Sequence, residues 1–253
     1  MNIGIVTGEY PPMKGGVGDY TRILALHLTT NNHKVQVITD QRCLHPKNYA
    51  DEHEVIANIS RRWSWLDLWR IRKTTSDLDI LCIQYQAAAY GSMSIPIHFL
   101  PYITIPPTVT TFHDLEQPYL FPKAGRLRKK AIWQMARESD GIITTNSEDY
   151  HVCANQLKLP LLAEIPIGSN ISYNSTNTFS KTKFRAKYGI GKDELVIGYF
   201  GLMNRSKGGK TLIQALAALH SKGLSARLLL IGELIGSTDT TNSNYYLEAN
   251  DLA

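Results

Sequence analysis

Three glycines near the start of the chain stand where a phosphate or another anion could bind. Gly15, Gly16 and Gly18 lie between a short apolar run at residues 3–6 and a stretch with apolar residues at helical spacing. This order predicts a strand, a glycine loop and a helix whose first N–H groups are free to face an anion. Because glycine has no side chain, the backbone could approach a ligand closely here. The alternative is an ordinary first crossover of an α/β domain.

A dinucleotide-binding loop is a competing interpretation of the same glycines. Gly16 and Gly18 match the first two glycines of its fingerprint, and Asp40 ends the next apolar strand at the expected distance. The third glycine position, however, holds Thr21, and the loop before Gly16 is too long for the required tight turn. The sequence therefore argues against nicotinamide binding.

Other polar side chains follow predicted strands. Gln84 and Tyr85 end the apolar run 79–85, and His113 and Asp114 follow the run 107–112. In an open parallel sheet, ligands bind beyond the carboxyl ends of the strands. We therefore expect these residues at the binding edge, although a histidine at a strand end is often only a structural group.

A pair of carboxylates, Asp77 and Asp79, resembles the pair with which some sugar-nucleotide enzymes hold a divalent metal. Asp77 precedes the strand 79–85 and Asp79 is its first residue, so neither follows the strand. They are expected at the opposite edge of the sheet, as a turn between a helix and a strand, and no metal site is predicted.

Strands and helices alternate along the chain at intervals of about 25–30 residues, which predicts a parallel sheet covered on both faces. The first Rossmann-like domain is expected to span residues 1–167. A polar linker and a short helix follow at 168–190, and the strand–loop–helix pattern begins again at 191–253 as a partial second domain. The fold class is therefore α/β.

One predicted helix carries an unusual number of apolar residues. Ser64 and Asp67 form a plausible capping box at its start. The apolar residues that follow are expected to form one stripe facing the core, and they are Trp65, Leu66, Leu68, Trp69 and Ile71.

The three cysteines, Cys43, Cys82 and Cys153, are odd in number and lack metal-binding spacing. Reduced thiols in the cytoplasm are the simplest interpretation. We expect no leader, because the sequence enters an apolar strand at once, and no apolar run approaches the ~20 residues that span a bilayer. A net charge of +5 suits an anionic ligand or a membrane surface.

Five motifs together resemble the retaining glycosyltransferases of family 4, which have the two-domain GT-B fold. They occur in the family's order and spacing, as EYPPMKGGVGDYT at 9–21, TFHD at 111–114, GIITTNSEDY at 141–150, IPIGSNI at 165–171 and GYFGLMNRSKGGKTLIQAL at 198–216. The resemblance implies transfer of a sugar from a nucleoside-diphosphate sugar to an acceptor, with retention of configuration. The nucleotide sugar is then a co-substrate, and no metal or other cofactor is expected.

The resemblance also implies roles for individual residues. His113 is the catalytic histidine that contacts the transferred sugar, with Asp114 orienting or flanking it. Gly16 lies near the donor phosphates, and Lys207 stabilises the diphosphate leaving group. The family's arginine after Gly201 is replaced here by Leu202, so Arg205 is the nearest substitute. The acceptor side is assigned to Gly15, Gly18, Gln84 and Tyr85.

Several family members that glycosylate lipids dock on anionic membranes through a basic helix. A comparable run occurs here at Lys123, Arg126, Arg128, Lys129 and Lys130. It predicts peripheral contact with the inner face of a membrane, and a solvated charged face is the alternative. The expected partners are a nucleotide sugar and a saccharide, lipid or other small acceptor, without nucleic acid.

The chain departs from the family at its end. Family members carry about 100 further residues, with the glutamates that bind the donor sugar and ribose. This predicts a fragment with little activity of its own. The alternative is a non-catalytic remnant or binding module derived from a glycosyltransferase.

Overall fold

The computed structural model describes residues 1–43, 52–91, 95–115, 125–157, 159, 161–170, 179–201 and 208–232. The chain divides into two compact units, Met1–Asn170 and Ile171–Ala253. Arg205, Lys207 and Lys123 lie outside the described residues, as do the side chains of Arg126 and Arg128.

The first unit is built on a seven-stranded parallel sheet with the strand order β3-β2-β1-β4-β5-β6-β7. The apolar runs of the sequence form these strands, which confirms the α/β class. Their bounds are β1 Asn2–Thr7, β2 Lys34–Asp40, β3 Glu54–Ile59, β4 Ile80–Tyr85, β5 Thr108–Phe112, β6 Gly141–Thr144 and β7 Leu162–Glu164.

Helices connect these strands. They are α1 Gly16–Thr30, α2 Trp65–Thr74, α3 Leu100–Ile103, α4 Gly125–Glu138 and α5 Ser147–Val152. A 3₁₀ turn at Ile95–Phe99 precedes α3, since Pro96 and Pro101 cannot donate the N–H bonds of one continuous helix. The cap of α5 is Asn146, whose side chain accepts the N–H of Asp149.

Each face of the sheet packs against its own helices. On one face, Leu81, Ile83 and Phe112 join the buried residues of α2, α3 and α4 in one apolar cluster. On the other face, Ile5 and Val37 pack with residues of α1. Successive residues of β4 therefore point to opposite sides, which decides where Gln84 and Tyr85 lie.

The expectation that five apolar residues of α2 face the core was wrong for three of them. Leu68 and Ile71 are buried, but Trp65, Leu66 and Trp69 are 54%, 70% and 61% exposed. The reason is the buried carboxylate of Asp67, which forms the predicted capping box with Ser64 and also accepts the N–H of Ser60. This anchoring turns the neighbouring aromatic residues outward.

The second unit begins with α6 Lys181–Lys187, followed by β8 Leu195–Phe200, α7 Gly209–Ser221 and β9 Ala226–Ile231. β8 and β9 are parallel neighbours, so the predicted strand–loop–helix–strand unit is confirmed. Arg227 of β9 forms an ion pair with Glu194, with 3.1 Å between Nε and Oε1. Within the described residues, no helix has the length and apolar character that crossing a bilayer requires.

Candidate active site at the carboxyl edge of the sheet

The backbone of His113 is held firmly at the end of β5. β4 and β5 end side by side, with Tyr85 opposite Phe112. The N–H of His113 donates to the carbonyl of Tyr85 at 3.0 Å, and the hydroxyl of Thr145 donates to the carbonyl of His113 at 3.2 Å. The imidazole is therefore carried by a rigid point at the binding edge.

The imidazole of His113 is only 7% exposed and has one polar partner, Gln84, among the described residues. Its Nε2 lies 3.0 Å from Oε1 of Gln84, and its ring meets that of Tyr20 edge to face at 4.9 Å. Burial lowers the pKa of His113 from 6.5 to about 4, against the opposing influence of Asp114. The ring is therefore neutral at physiological pH.

A neutral imidazole carries a proton on only one nitrogen. Because Nε2 faces a carbonyl oxygen, which only accepts, Nε2–H of His113 is the donor to Gln84. Nδ1 is then left unprotonated, as a hydrogen-bond acceptor. Such an atom suits the hydroxyl of a sugar or alcohol and does not suit a phosphate oxygen.

Asp114 is oriented by a different side chain. Its Oδ2 accepts a hydrogen bond of 3.0 Å from Nε2 of Gln86. The next residue, Leu115, donates its N–H to Oδ2 of Asp149 at the start of α5, at 3.1 Å. The segment after β5 is therefore fixed from two sides. The negative charge of Asp114 raises the pKa of His113, which partly opposes the effect of burial.

The expectation that the first N–H groups of α1 are free was wrong. The N–H groups of Val17 and Gly18 donate to Oε1 of Glu9 at 3.1 and 3.3 Å. The Glu9 side chain is only 2% exposed. A helix N-terminus attracts negative charge, and here the nearest anion is a carboxylate of the chain itself. A ligand phosphate could not use these two N–H groups without displacing Glu9.

The three glycines of the loop are needed for different reasons. A Cβ atom on Gly15 would lie 2.1 Å from Oε1 of Glu9, so this glycine makes room for the internal cap. A Cβ on Gly18 would lie 3.2 Å from the backbone of Glu9 and Tyr10, so this glycine allows α1 to pack closely against that loop. Gly16 faces open space and is exposed, so it leaves room for an external ligand.

The side chains of Gln84 and Tyr85 lie on opposite faces of β4. Tyr85 is fully buried, with its hydroxyl 2.7 Å from Nε2 of His98 and its ring against Phe112. Only its carbonyl lies at the binding edge, where it accepts the N–H of His113. The predicted acceptor contact of Tyr85 stays a prediction, and its ring serves the core.

The sequence profile of Glycosyltransferase Family 4 matches residues 14–161, more than half of the chain. The chain belongs to glycosyltransferase family 4. The match covers α1 with its glycines, the strand end at His113 and the cap of α5. No curated protein sequence matches.

Solved structures show the same fold as this family 4 chain at low sequence identity. A glycosyltransferase from Rickettsia africae is 17% identical with a TM-score of 0.65, covering 99% of this chain and 64% of that one. The trehalose-6-phosphate synthase OtsA is 13% identical, with a TM-score of 0.62, covering 100% of this chain and 68% of that one. An α-glucosyltransferase in complex with UDP and a 13-mer DNA is 16% identical, with a TM-score of 0.52, and the match covers 91% of this chain and 56% of that one. The fold is thus of the GT-B type, and the chain spans less than two thirds of the Rickettsia structure.

Two predicted site residues of this family 4 chain, Arg205 and Lys207, lie outside the described residues. The carboxylates of Asp77 and Asp79 lie before β4, as expected, and Asp79 accepts the N–H of Asn2 at 2.6 Å. Among the described residues, no group of three or more histidines, cysteines or carboxylates is placed to hold a metal ion.

Sequence reasoning assigned no role to three residues of this site: Glu9, Tyr20 and Gln86. Glu9 and Tyr20 lie within the motif around the glycines, and Tyr20 follows Gly16 by one helical turn. That spacing was a usable signal for Tyr20, because residues four apart share one helix face. Gln86 lies just beyond β4 and contacts Asp114 across 28 residues of chain, which no local pattern indicates.

Proposed function

We propose that this protein takes part in the transfer of a sugar from a nucleoside-diphosphate sugar to a hydroxyl group of an acceptor, with retention of configuration and without a metal. The observation that carries the proposal is the neutral His113, which is held by Gln84 and packs against Tyr20 of α1, the helix that begins at Gly16. Membership of family 4 supports the same reaction class.

In this proposal, Nδ1 of His113 accepts a hydrogen bond from a hydroxyl of the transferred sugar. The fixed backbone of His113 and the Tyr20 ring hold the imidazole in place, so little ordering is left to be done when the sugar binds. The exposed backbone at Gly16 is where the donor approaches, since a Cβ there would occupy the ligand's space. Gly15, Gly18 and Gln84 support the acceptor side through packing and positioning.

The diphosphate leaving group needs positive charge as its own negative charge develops. His113 is neutral and cannot supply it. We assign this role to Lys207, with Arg205 as a second cation, both from the part of the sequence that precedes α7. A nucleoside-diphosphate sugar is the only co-substrate in this scheme, and no cofactor is required.

The acceptor is a saccharide, a lipid or another small molecule with a hydroxyl group. We propose a cytoplasmic location, which agrees with the free thiols of Cys43, Cys82 and Cys153. The α-glucosyltransferase of similar fold was solved with DNA, so absence of nucleic-acid binding is part of the proposal and needs its own assay.

The proposal is tested by saturation-transfer NMR on the protein 1–253 with uridine and guanosine diphosphate sugars. We expect saturation of sugar ring protons, and loss of that signal in His113→Gln. The control is His151→Gln, an exposed histidine on α5, which should bind as the parent does. Absence of any sugar signal with every nucleotide sugar would overturn the proposal.

Turnover is measured in parallel as release of nucleoside diphosphate in the presence of candidate acceptors. Because the chain spans 64% of the Rickettsia structure, we expect binding with little turnover by 1–253 alone. Turnover that survives chelation and gives a product of unchanged anomeric configuration supports the full reaction. Binding that never leads to transfer, even with the remainder of a GT-B second domain fused to the chain, would favour a binding module.

A further inference from the structure

An exposed aromatic surface lies on the side of the sheet that carries α2 and α3. Besides Trp65, Leu66 and Trp69, it contains Ile95, Phe99 and Tyr102, of which Tyr102 is 71% exposed. The rings of Trp65 and Phe99 are 5.2 Å apart. We call these six residues the aromatic face. Contiguous exposed surface of this kind marks an interaction site in most proteins.

Arg72 joins the two elements into one continuous surface. Its guanidinium lies 5.8 Å from the centre of the Trp69 ring, and its Nη1 donates to the carbonyl of Ile103 at the end of α3. The aromatic face is therefore a preformed surface of two packed elements.

The segment that contains α2 carries more positive than negative charge. Residues 60–79 contain five cations, namely Arg61, Arg62, Arg70, Arg72 and Lys73, and three carboxylates, Asp67, Asp77 and Asp79. Asp67 is buried, and its oxygens are taken by Ser60, Ser64 and Arg70. The 3₁₀ turn and α3 contribute only His98, which is buried and bonded to Tyr85. The surface thus combines aromatic rings with exposed cations, while the exposed carboxylates Asp77 and Asp79 follow the end of α2, where Asp79 accepts the N–H of Asn2.

We propose that the aromatic face docks on an anionic lipid bilayer. Tryptophan and tyrosine prefer the boundary between lipid headgroups and acyl chains, while arginine and lysine reach the negative headgroups beside them. A second copy of this chain fits less well. A two-fold interface would bring the same patch onto itself and place Arg61, Arg62 and Lys73 against like charges.

The inference is independent of the sugar-transfer reaction, and it names a different surface from the basic helix that the sequence suggested. In α4, Leu127 is exposed, but Ile132 is buried and Trp133 is half-buried, with Lys129 over its ring at 4.6 Å. The described part of α4 therefore offers charge with little exposed aromatic surface, whereas α2 and α3 offer both.

Cosedimentation with vesicles tests the proposal on the protein 1–253. Vesicles of phosphatidylcholine alone are compared with vesicles that also contain phosphatidylglycerol, at low and high salt. We expect binding only to the anionic vesicles, weakening with salt. The double variant Trp65→Ser/Trp69→Ser should bind at least about 10-fold more weakly. Arg61→Gln/Arg62→Gln should lose about fivefold per charge, the equivalent of ~1 kcal/mol for each basic residue near the surface.

The matched control is Lys181→Gln/Lys183→Gln, which removes two exposed lysines from α6 and should bind as the parent does. Circular dichroism checks that each variant is folded. If the tryptophan variant fails to fold, the arginine variant decides alone. The proposal is overturned if vesicles do not bind the protein, or if neutral vesicles bind it equally well. It is also overturned if Lys129→Gln/Lys130→Gln in α4 abolishes binding while the arginine variant does not. A dimer in analytical ultracentrifugation that the tryptophan variant converts to monomer would instead assign the aromatic face to self-association and overturn the proposal.

Discussion

Nε2 of His113 lies 3.0 Å from Oε1 of Gln84, although the two residues are 29 positions apart in the chain. β4 and β5 are hydrogen-bonded neighbours, and Gln84 lies opposite Thr111 in their register. The amide carbonyl of Gln84 decides which ring nitrogen carries the proton and leaves the other as an acceptor. Gln84 is thus a positioning residue for the candidate catalytic histidine.

A carboxylate in place of the Gln84 amide should shift His113 toward its charged form. Gln84→Glu puts a negative charge beside Nε2, which favours the imidazolium form, so the pKa of His113 should rise from about 4 by at least about one unit. Gln84→Met, of similar size and without charge, should leave the pKa low. Imidazole ¹⁵N NMR over a pH series measures both, with His113→Gln identifying the signal. An unchanged midpoint in Gln84→Glu would mean that the contact does not control the ring.

The buried neutral His113 should make the fold sensitive to mild acid. Its pKa is 6.5 when unfolded and about 4 when folded, so the unfolded chain takes up a proton first as the pH falls. The contribution to stability is complete above pH 6.5 and is lost on the way down to about pH 4. The loss of unfolding free energy amounts to roughly 3 kcal/mol at the acid end. Urea unfolding at several pH values should show a steeper acid loss for the parent than for His113→Gln. Parallel pH curves would contradict the neutral buried form.

The Glu9 cap and Gly15 should be energetically coupled. Glu9→Ala leaves two buried N–H groups of α1 without their acceptor and should cost about 1–3 kcal/mol of unfolding free energy. Gly15→Ala should also destabilise, because its Cβ would meet the Glu9 carboxylate at 2.1 Å. In the double variant the clash is gone, so the two effects should be less than additive. Strict additivity in a denaturant double-mutant cycle would argue against the contact.

Gly16→Val should separate ligand binding from folding. A Cβ at Gly16 meets open space, so the thermal midpoint should hardly change. The added side chain would occupy the volume assigned to the donor, so the sugar signals in saturation-transfer NMR should disappear. Gly168→Val is the matched control, since Gly168 also faces open space. Nucleotide-sugar binding that survives Gly16→Val would remove Gly16 from the proposed site.

Much of the fold could be predicted because its signals are local. Apolar runs such as that of β4 and the capping box of Ser64 and Asp67 involve residues a few positions apart, and the structure contains both as expected. The placement of His113 at a strand end followed from the same kind of signal, because the carboxyl ends of parallel strands share one edge. Family membership rested on motifs that are likewise contiguous.

What the sequence by itself determined was therefore the order of strands and helices and the edge at which the candidate site lies. Only the tertiary structure decided which carboxylate caps α1, which side of α2 is buried and which nitrogen of His113 is protonated. Each of these depends on a contact that the chain makes by folding back: Glu9 beneath the start of α1, Asp67 against Ser60, and Gln84 beside His113. Periodicity reports the neighbours along one element, whereas such contacts are set by strand register and loop path, so no local pattern contains them.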